Sequence, residues 1–112
     1  MKKSFRVEFL EEVVDFLDKL DESTRTKIIY NIRKASIRID PKLFKKVTSE
    51  IWEFRTYYNR KHYRLFAFWD KFHIEETVVI ISHGILKKTR KIPKVEIRKA
   101  ERIMKQYFKE KY

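Results

Sequence analysis

Cysteine is absent from all 112 residues, which removes disulfide frameworks and thiolate metal sites and makes a reducing interior the natural setting. Glycine occurs once and proline twice, so there is no linker, and neither a low-complexity tract nor an internal repeat is visible. No apolar run approaches the roughly 20 residues that a membrane span needs. Charges interrupt the stretch from Lys2 to Glu12, leaving no signal-peptide core. These absences predict one soluble, cytoplasmic domain over residues 1–112, large enough to bury a core without staples.

Basic side chains are in excess, 28 against 16 acidic, for a net charge of +12. The excess is uneven: residues 87–112 hold eleven basic and three acidic groups. A concentrated positive charge predicts a polyanionic or acidic partner, through phosphate neutralisation and counterion release. The plainer alternative is a solvated lysine-rich helix.

Ser4-Phe5-Arg6-Val7-Glu8-Phe9 alternates as an edge strand would. Leu10, Val13, Val14, Leu17 and Leu20 then recur at helical spacing, with Glu11, Glu12, Asp15 and Asp18 opposite. The polar break from Asp21 to Thr24 offers Asp21 or Ser23 as the cap of a second helix. Ile28, Ile29, Ile32, Ala35, Ser36 and Ile39 line that helix, and Pro41 ends it. The short connection predicts an antiparallel helical hairpin. From Ile51 the period shortens to two. Residues 51–58, 62–69 and 77–83 read as three strands, joined by turns at 59–61 and 70–76 into an antiparallel meander. Helical spacing returns from Pro93, with Ile97, Ala100, Met104, Tyr107 and Phe108 inward. The expected class is α+β, an antiparallel sheet with an N-terminal helical hairpin and a C-terminal helix in the order β-α-α-β-β-β-α. One sheet face should carry helices and the other should stay partly open.

The most informative stretch is His83-Gly84-Ile85-Leu86-Lys87-Lys88-Thr89-Arg90-Lys91-Ile92-Pro93. It reads as a buried strand leaving, at the chain's one glycine, into a basic loop ahead of a helix. Strand alternation puts Arg55 on one face with Glu53 and Tyr57, and Arg64 on one face with His62, Phe66 and Phe68. If both arginines lie on the open face they converge on a groove that Lys87, Lys88, Arg90 and Lys91 close. Such a groove suits RNA: guanidinium grips phosphate, and Tyr57, Phe66 and Phe68 offer surfaces for unpaired bases. Against this stand a core role for the aromatics and a cross-strand pair of Arg55 with a carboxylate such as Glu53. Arg64, a lone cation in an apolar strand, needs a buried partner or a ligand.

His62, His73 and His83 lack the fixed short spacing of a zinc site, so no metal and no cofactor is expected. His73 reads as a solvated turn residue. His62 and His83 flank the groove, so either is a candidate for proton transfer near neutral pH; a structural role is open for each. No nucleophile motif, glycine-rich phosphate loop or paired-aspartate metal motif occurs.

Taken together, these blocks resemble the RelE/ParE superfamily of type II toxin–antitoxin toxins, in particular its phage-derived HigB-like branch. The resemblance rests on Phe9-Leu10, Phe16-Leu17-Asp18-Lys19-Leu20, Ile51-Trp52-Glu53-Phe54-Arg55, Tyr63-Arg64-Leu65-Phe66 and His83-Gly84-Ile85-Leu86-Lys87-Lys88-Thr89, continued by Pro93, Glu96, Ile97 and Ala100. It implies a RelE-like microbial ribonuclease fold and metal-independent cleavage of messenger RNA, usually at the ribosome. The 2′-hydroxyl attacks the adjacent phosphorus and a 2′,3′-cyclic phosphate remains. It also implies a masking antitoxin, HigA-like and carrying a helix-turn-helix domain, through which alone operator DNA would be bound. By position, Arg64 matches the central-strand arginine against the scissile phosphate. Lys87 and Lys88 match the basic pair after the last strand, and Arg55 the arginine closing the preceding block. Two positions depart from the RelE pattern: Ile51 and Glu53 stand where relatives place lysines, and no tyrosine lies between Lys88 and Glu96. The general base therefore stays open among Glu53, His62, His83 and a neutral lysine. Two other readings compete: a ParE-like inhibitor of DNA gyrase, and a basic binding module without catalysis.

Overall fold

The computed structural model describes residues 4–72, 77–91 and 93–112. His73 and residues 73–76 of the turn expected over 70–76 lie outside the described residues, while Asp70 belongs to β4 and not to that turn. The elements are β1 (Arg6–Phe9), α1 (Glu11–Asp18), α2 (Glu22–Ile37), β2 (Phe44–Lys46), β3 (Trp52–Tyr58), β4 (Lys61–Asp70), β5 (Val78–Lys87) and α3 (Lys94–Lys111). They build an α+β fold around one five-stranded sheet in the order β1-β5-β4-β3-β2.

Three expectations need correction. The sheet is mixed: β1 does lie at an edge, but it runs parallel to β5, with Arg6 beside Val78 and Phe9 beside Ile81. A further strand, β2, pairs with the start of β3, so the order is β-α-α-β-β-β-β-α. Gly84 does not mark a strand exit, because β5 runs on to Lys87. The reason lies across the sheet face, where a Cβ on Gly84 would stand 2.6 Å from Phe16 Cδ2. Here glycine lets a helix ring approach the strand instead of breaking it.

Local chemistry explains the frame. Asp21 caps α2, accepting from Thr24 N at 3.1 Å and from the hydroxyls of Ser23 and Thr24. These bonds hold its carboxyl down at about 2. α2 ends at Ile37, ahead of Pro41. Asn59 and Arg60 join β3 to β4 with φ of 52° and 64°, the left-handed pair that matches a two-residue hairpin to strand twist.

The expected division into one helix-bearing face and one partly open face is corrected as well: helices pack on both faces, which the long apolar runs of β4 and β5 require. α1 and α2 bury Val13, Leu17, Ile28, Ile32 and Ala35 against Phe54, Leu65, Val79 and Ile81 on one side. On the other, Ala100 and Met104 of α3 pack with Phe66, Phe68, Val78 and Ile80. Asp70, fully buried at the end of β4, accepts from the hydroxyls of Tyr107 and Tyr112 and fastens the far end of α3. Among the described residues no helix is long and apolar enough to cross a membrane.

Candidate functional site: a basic groove on the sheet

Strand register delivers the site. Arg55 lies opposite Arg64, Glu53 opposite Phe66 and Tyr57 opposite His62. β5 adds Ile85 beside Arg64 and Lys87 beside His62. All these side chains leave the sheet on the face that carries α3. The helix packs over the end of that face bearing Phe66 and Phe68. The end bearing Arg64 and His62 opens on a cavity of about 480 Å³, lined by Arg55, His62, Arg64, Lys87, Lys88, Thr89 and Arg90.

Arg64 is the deepest of these cations. It is only 5% exposed, yet its head group reaches the cavity wall. Nη1 donates to the Tyr63 carbonyl at 3.3 Å. Nε stands 3.5 Å from Oε2 of Glu53, close enough for an ion pair, but has no hydrogen-bond partner. Burial pulls the Arg64 pKa down and the neighbouring Arg55 adds to this, with Glu53 opposing. An arginine stays charged regardless, so two guanidiniums share the single carboxylate of Glu53 and the pair of strands keeps a net positive charge here.

Glu53 sits between the two guanidiniums, with Arg55 Nε also 3.5 Å from Oε2. Its side chain is 12% exposed, so it underlies the arginines and balances them. Lys87, half-buried, has a pKa below the ordinary lysine value, first because burial disfavours its charge and then because Arg64 repels it. The exposed Tyr57 ring lies 4.5 Å from that of His62, tilted by 37°. That pair remains available as a flat surface for a base.

The structure does not bring every sequence candidate to the groove. His83 is 1% exposed. Its Nδ1 meets Ser82 Oγ at 2.9 Å and its Nε2 meets Glu96 Oε1 at 3.1 Å, while its ring stacks on Phe66. It ties α3 to β5 from inside the protein. Phe66 and Phe68 are buried beneath α3 and offer no stacking surface. Lys91 turns away to a different cavity, beside Thr48, Lys94 and Arg98. Conversely, sequence reading passed over Lys27, Lys34 and Lys42, which line an adjoining cavity. The helical spacing of Lys27, Asn31 and Lys34 is the signal that marks two of them. Among the described residues, no group of three or more histidine, aspartate or glutamate side chains is arranged to hold a metal ion.

The family model for "Phage derived protein Gp49-like (DUF891)" matches residues 15–105. No curated protein matches the chain.

Proposed function

The chain belongs to the phage-derived Gp49-like family, a toxin-like family within the broad RelE/HigB group, and from that premise we propose that it is the toxin of a type II toxin–antitoxin system. Its activity would be that of a metal-independent endoribonuclease on messenger RNA, engaged at the ribosome in the cytoplasm. The observation that carries this reading is the meeting of Arg55, Arg64 and Lys87, from three strands, around one cavity with Arg64 Nε unsatisfied. A phosphodiester in the cavity would be met by positive charge from all three side chains.

The chemistry follows from the positions. The ribose 2′-oxygen bonds to the adjacent phosphorus, the bond from phosphorus to the 5′-oxygen breaks, and a 2′,3′-cyclic phosphate is left. Arg64 and Arg55 bind the non-bridging oxygens, whose charge grows in the transition state. The 2′ proton passes to a base and the departing 5′-oxygen gains a proton. Lys87, with its depressed pKa, and His62 are the groove's proton carriers. Where no single strong base is present, alignment of the 2′-hydroxyl carries much of the barrier reduction. A groove this basic also suits an acidic segment of a masking antitoxin with a helix-turn-helix domain.

The test is induction of the wild-type chain and of Arg64→Ala, with 5′ ends of messages mapped by primer extension. Cleavage inside translated codons, with little turnover of free RNA, is the expected result. The variant should stay folded and lose cleavage by about 100-fold or more, as removal of one transition-state donor does. Intact messages together with rising DNA-damage markers would replace this reading with gyrase inhibition.

A further inference from the structure

The basic groove continues past the edge of β3. A second cavity, of about 490 Å³, shares Arg55, His62 and Arg64 with the first and passes Tyr57 to reach Lys27, Lys34 and Lys42. β2 covers β3 only from Trp52 to Phe54, so the outer half of β3 faces α2 instead of another strand. Buried Asn31 pins the helix there, donating from Nδ2 to Thr56 Oγ1 at 3.0 Å. Lys27 and Lys34 stand at i−4 and i+3 from Asn31, on the same helical face. Lys42 comes from the turn ahead of β2 and closes the far side.

Some surface cations are neutralised locally, Arg6 by Glu8 and Lys99 by Glu12. Among the described residues, Lys27, Lys34 and Lys42 make no ion pair, and no carboxylate lines the cavity. Three unbalanced lysines thus face the same space as the two arginines.

We propose that this second cavity is a phosphate subsite for single-stranded RNA. The strand runs from Lys88 and Arg90, over Arg64 and Arg55, to Lys27, Lys34 and Lys42, and a base rests on Tyr57 at the crossing. This rests on the ribonuclease reading and extends it to the length of substrate. The reacting phosphate then lies within the bound segment, and a dinucleotide fills the first cavity alone.

The experiment measures binding of 2′-O-methyl RNA, which cannot be cleaved, as a hexamer and as a dinucleotide. Wild type is compared with Lys27→Ala/Lys34→Ala/Lys42→Ala, and with the corresponding triple Gln variant should the alanine protein not fold. Hexamer affinity should fall at least about tenfold, and the slope of log K against log salt should flatten by about 0.7 per lost contact, or about 2 in all. Dinucleotide binding should be the same in both proteins. A variant that binds hexamer with the wild-type affinity and slope overturns the subsite and leaves the ribonuclease reading standing. Equal loss for dinucleotide and hexamer also overturns it, as does a variant that loses polyglutamate but not RNA, since the wall would then serve an acidic protein. Wild-type protein that binds no hexamer overturns the subsite, while the ribonuclease reading stands or falls on the message mapping described above.

Discussion

Arg55 and Arg64 stand directly opposite each other on adjacent strands, and both reach the same oxygen of Glu53 at 3.5 Å. Like charges in that register repel, so the carboxylate offsets a strain that the sheet itself creates. Glu53→Gln should therefore destabilise the fold. Breaking a fully buried pair costs about 3–5 kcal/mol and an exposed one contributes about 0–1 kcal/mol. With Arg55 one-third exposed and no hydrogen bond from Arg64 Nε, about 2 kcal/mol is expected, read as a lower urea midpoint at constant slope. Sulfate or phosphate should stabilise the variant more than wild type, because a bound anion replaces the missing charge. An unchanged midpoint, or equal anion effects on both proteins, would count against the balance described.

Lys87 gives the groove its pH signature. Burial and Arg64 hold its folded-state pKa below the ordinary 10.5. Between the folded value and 10.5 the unfolded chain binds more protons, so stability rises with pH across that window. In Lys87→Met this rise should be absent. Replacing Arg64 with Met removes the second-ranked cause of the shift, and the Lys87 side-chain carbon signals should then titrate at higher pH. Identical titration in both proteins would contradict the electrostatic link between these two groove residues.

Alternation made the faces of Arg55 and Arg64 legible in the sequence, because a strand's side-chain period depends on nothing beyond the strand, whereas Lys87 reads as a loop residue until β5 is seen to run on to it. The α3 stripe of Ile97, Ala100 and Met104 was legible for the same local reason. What required knowledge of distant partners was not. The parallel pairing of β1 with β5 joins residues some seventy positions apart, and no local pattern encodes it. β2 holds three residues, too few to show a period. Gly84 looked like punctuation because its reason for being glycine is Phe16, on another element. His83 was placed near the groove although its partner Glu96 reaches it only after α3 folds back. Lys27 and Lys34 could be put on one helical face, but not beside Arg55 without the sheet edge in view.

His83 makes a second pH prediction, of the same sign but in a more acidic window. Burial lowers its pKa below 6.5, Lys99 lowers it further, and Glu96 acts in the other direction. Below 6.5 the unfolded chain takes up a proton that the folded protein resists, so stability should be lost as pH falls from about 6.5 toward the folded value. His83→Gln keeps polar contacts without titrating. Its melting temperature should change less between pH 7.5 and pH 5.5 than that of wild type. A larger acid sensitivity in the variant would mean that the charged imidazole is stabilised by Glu96, and the burial argument would fail. RNA cleavage at neutral pH should survive in His83→Gln, since the imidazole lies beneath α3 and away from the groove.

The contact between Gly84 and Phe16 couples the hairpin helices to the strand that carries Lys87. A Cβ at position 84 would meet Phe16 Cδ2 at 2.6 Å and Cε2 at 2.8 Å, distances at which the ring has to move. Gly84→Ala should accordingly cost about 1–3 kcal/mol, the usual range for overpacking. Phe16→Leu alone loses apolar contact and destabilises modestly, but it also makes room. The double variant should then be more stable than the sum of the two single effects predicts, by at least about 0.5 kcal/mol in a double-mutant cycle. Additive losses would show that Phe16 yields without cost and that glycine is needed at position 84 for some other reason. Because β5 leads straight from Gly84 to Lys87, a shift of the strand should also weaken RNA binding in Gly84→Ala, and the Leu substitution should restore both properties together.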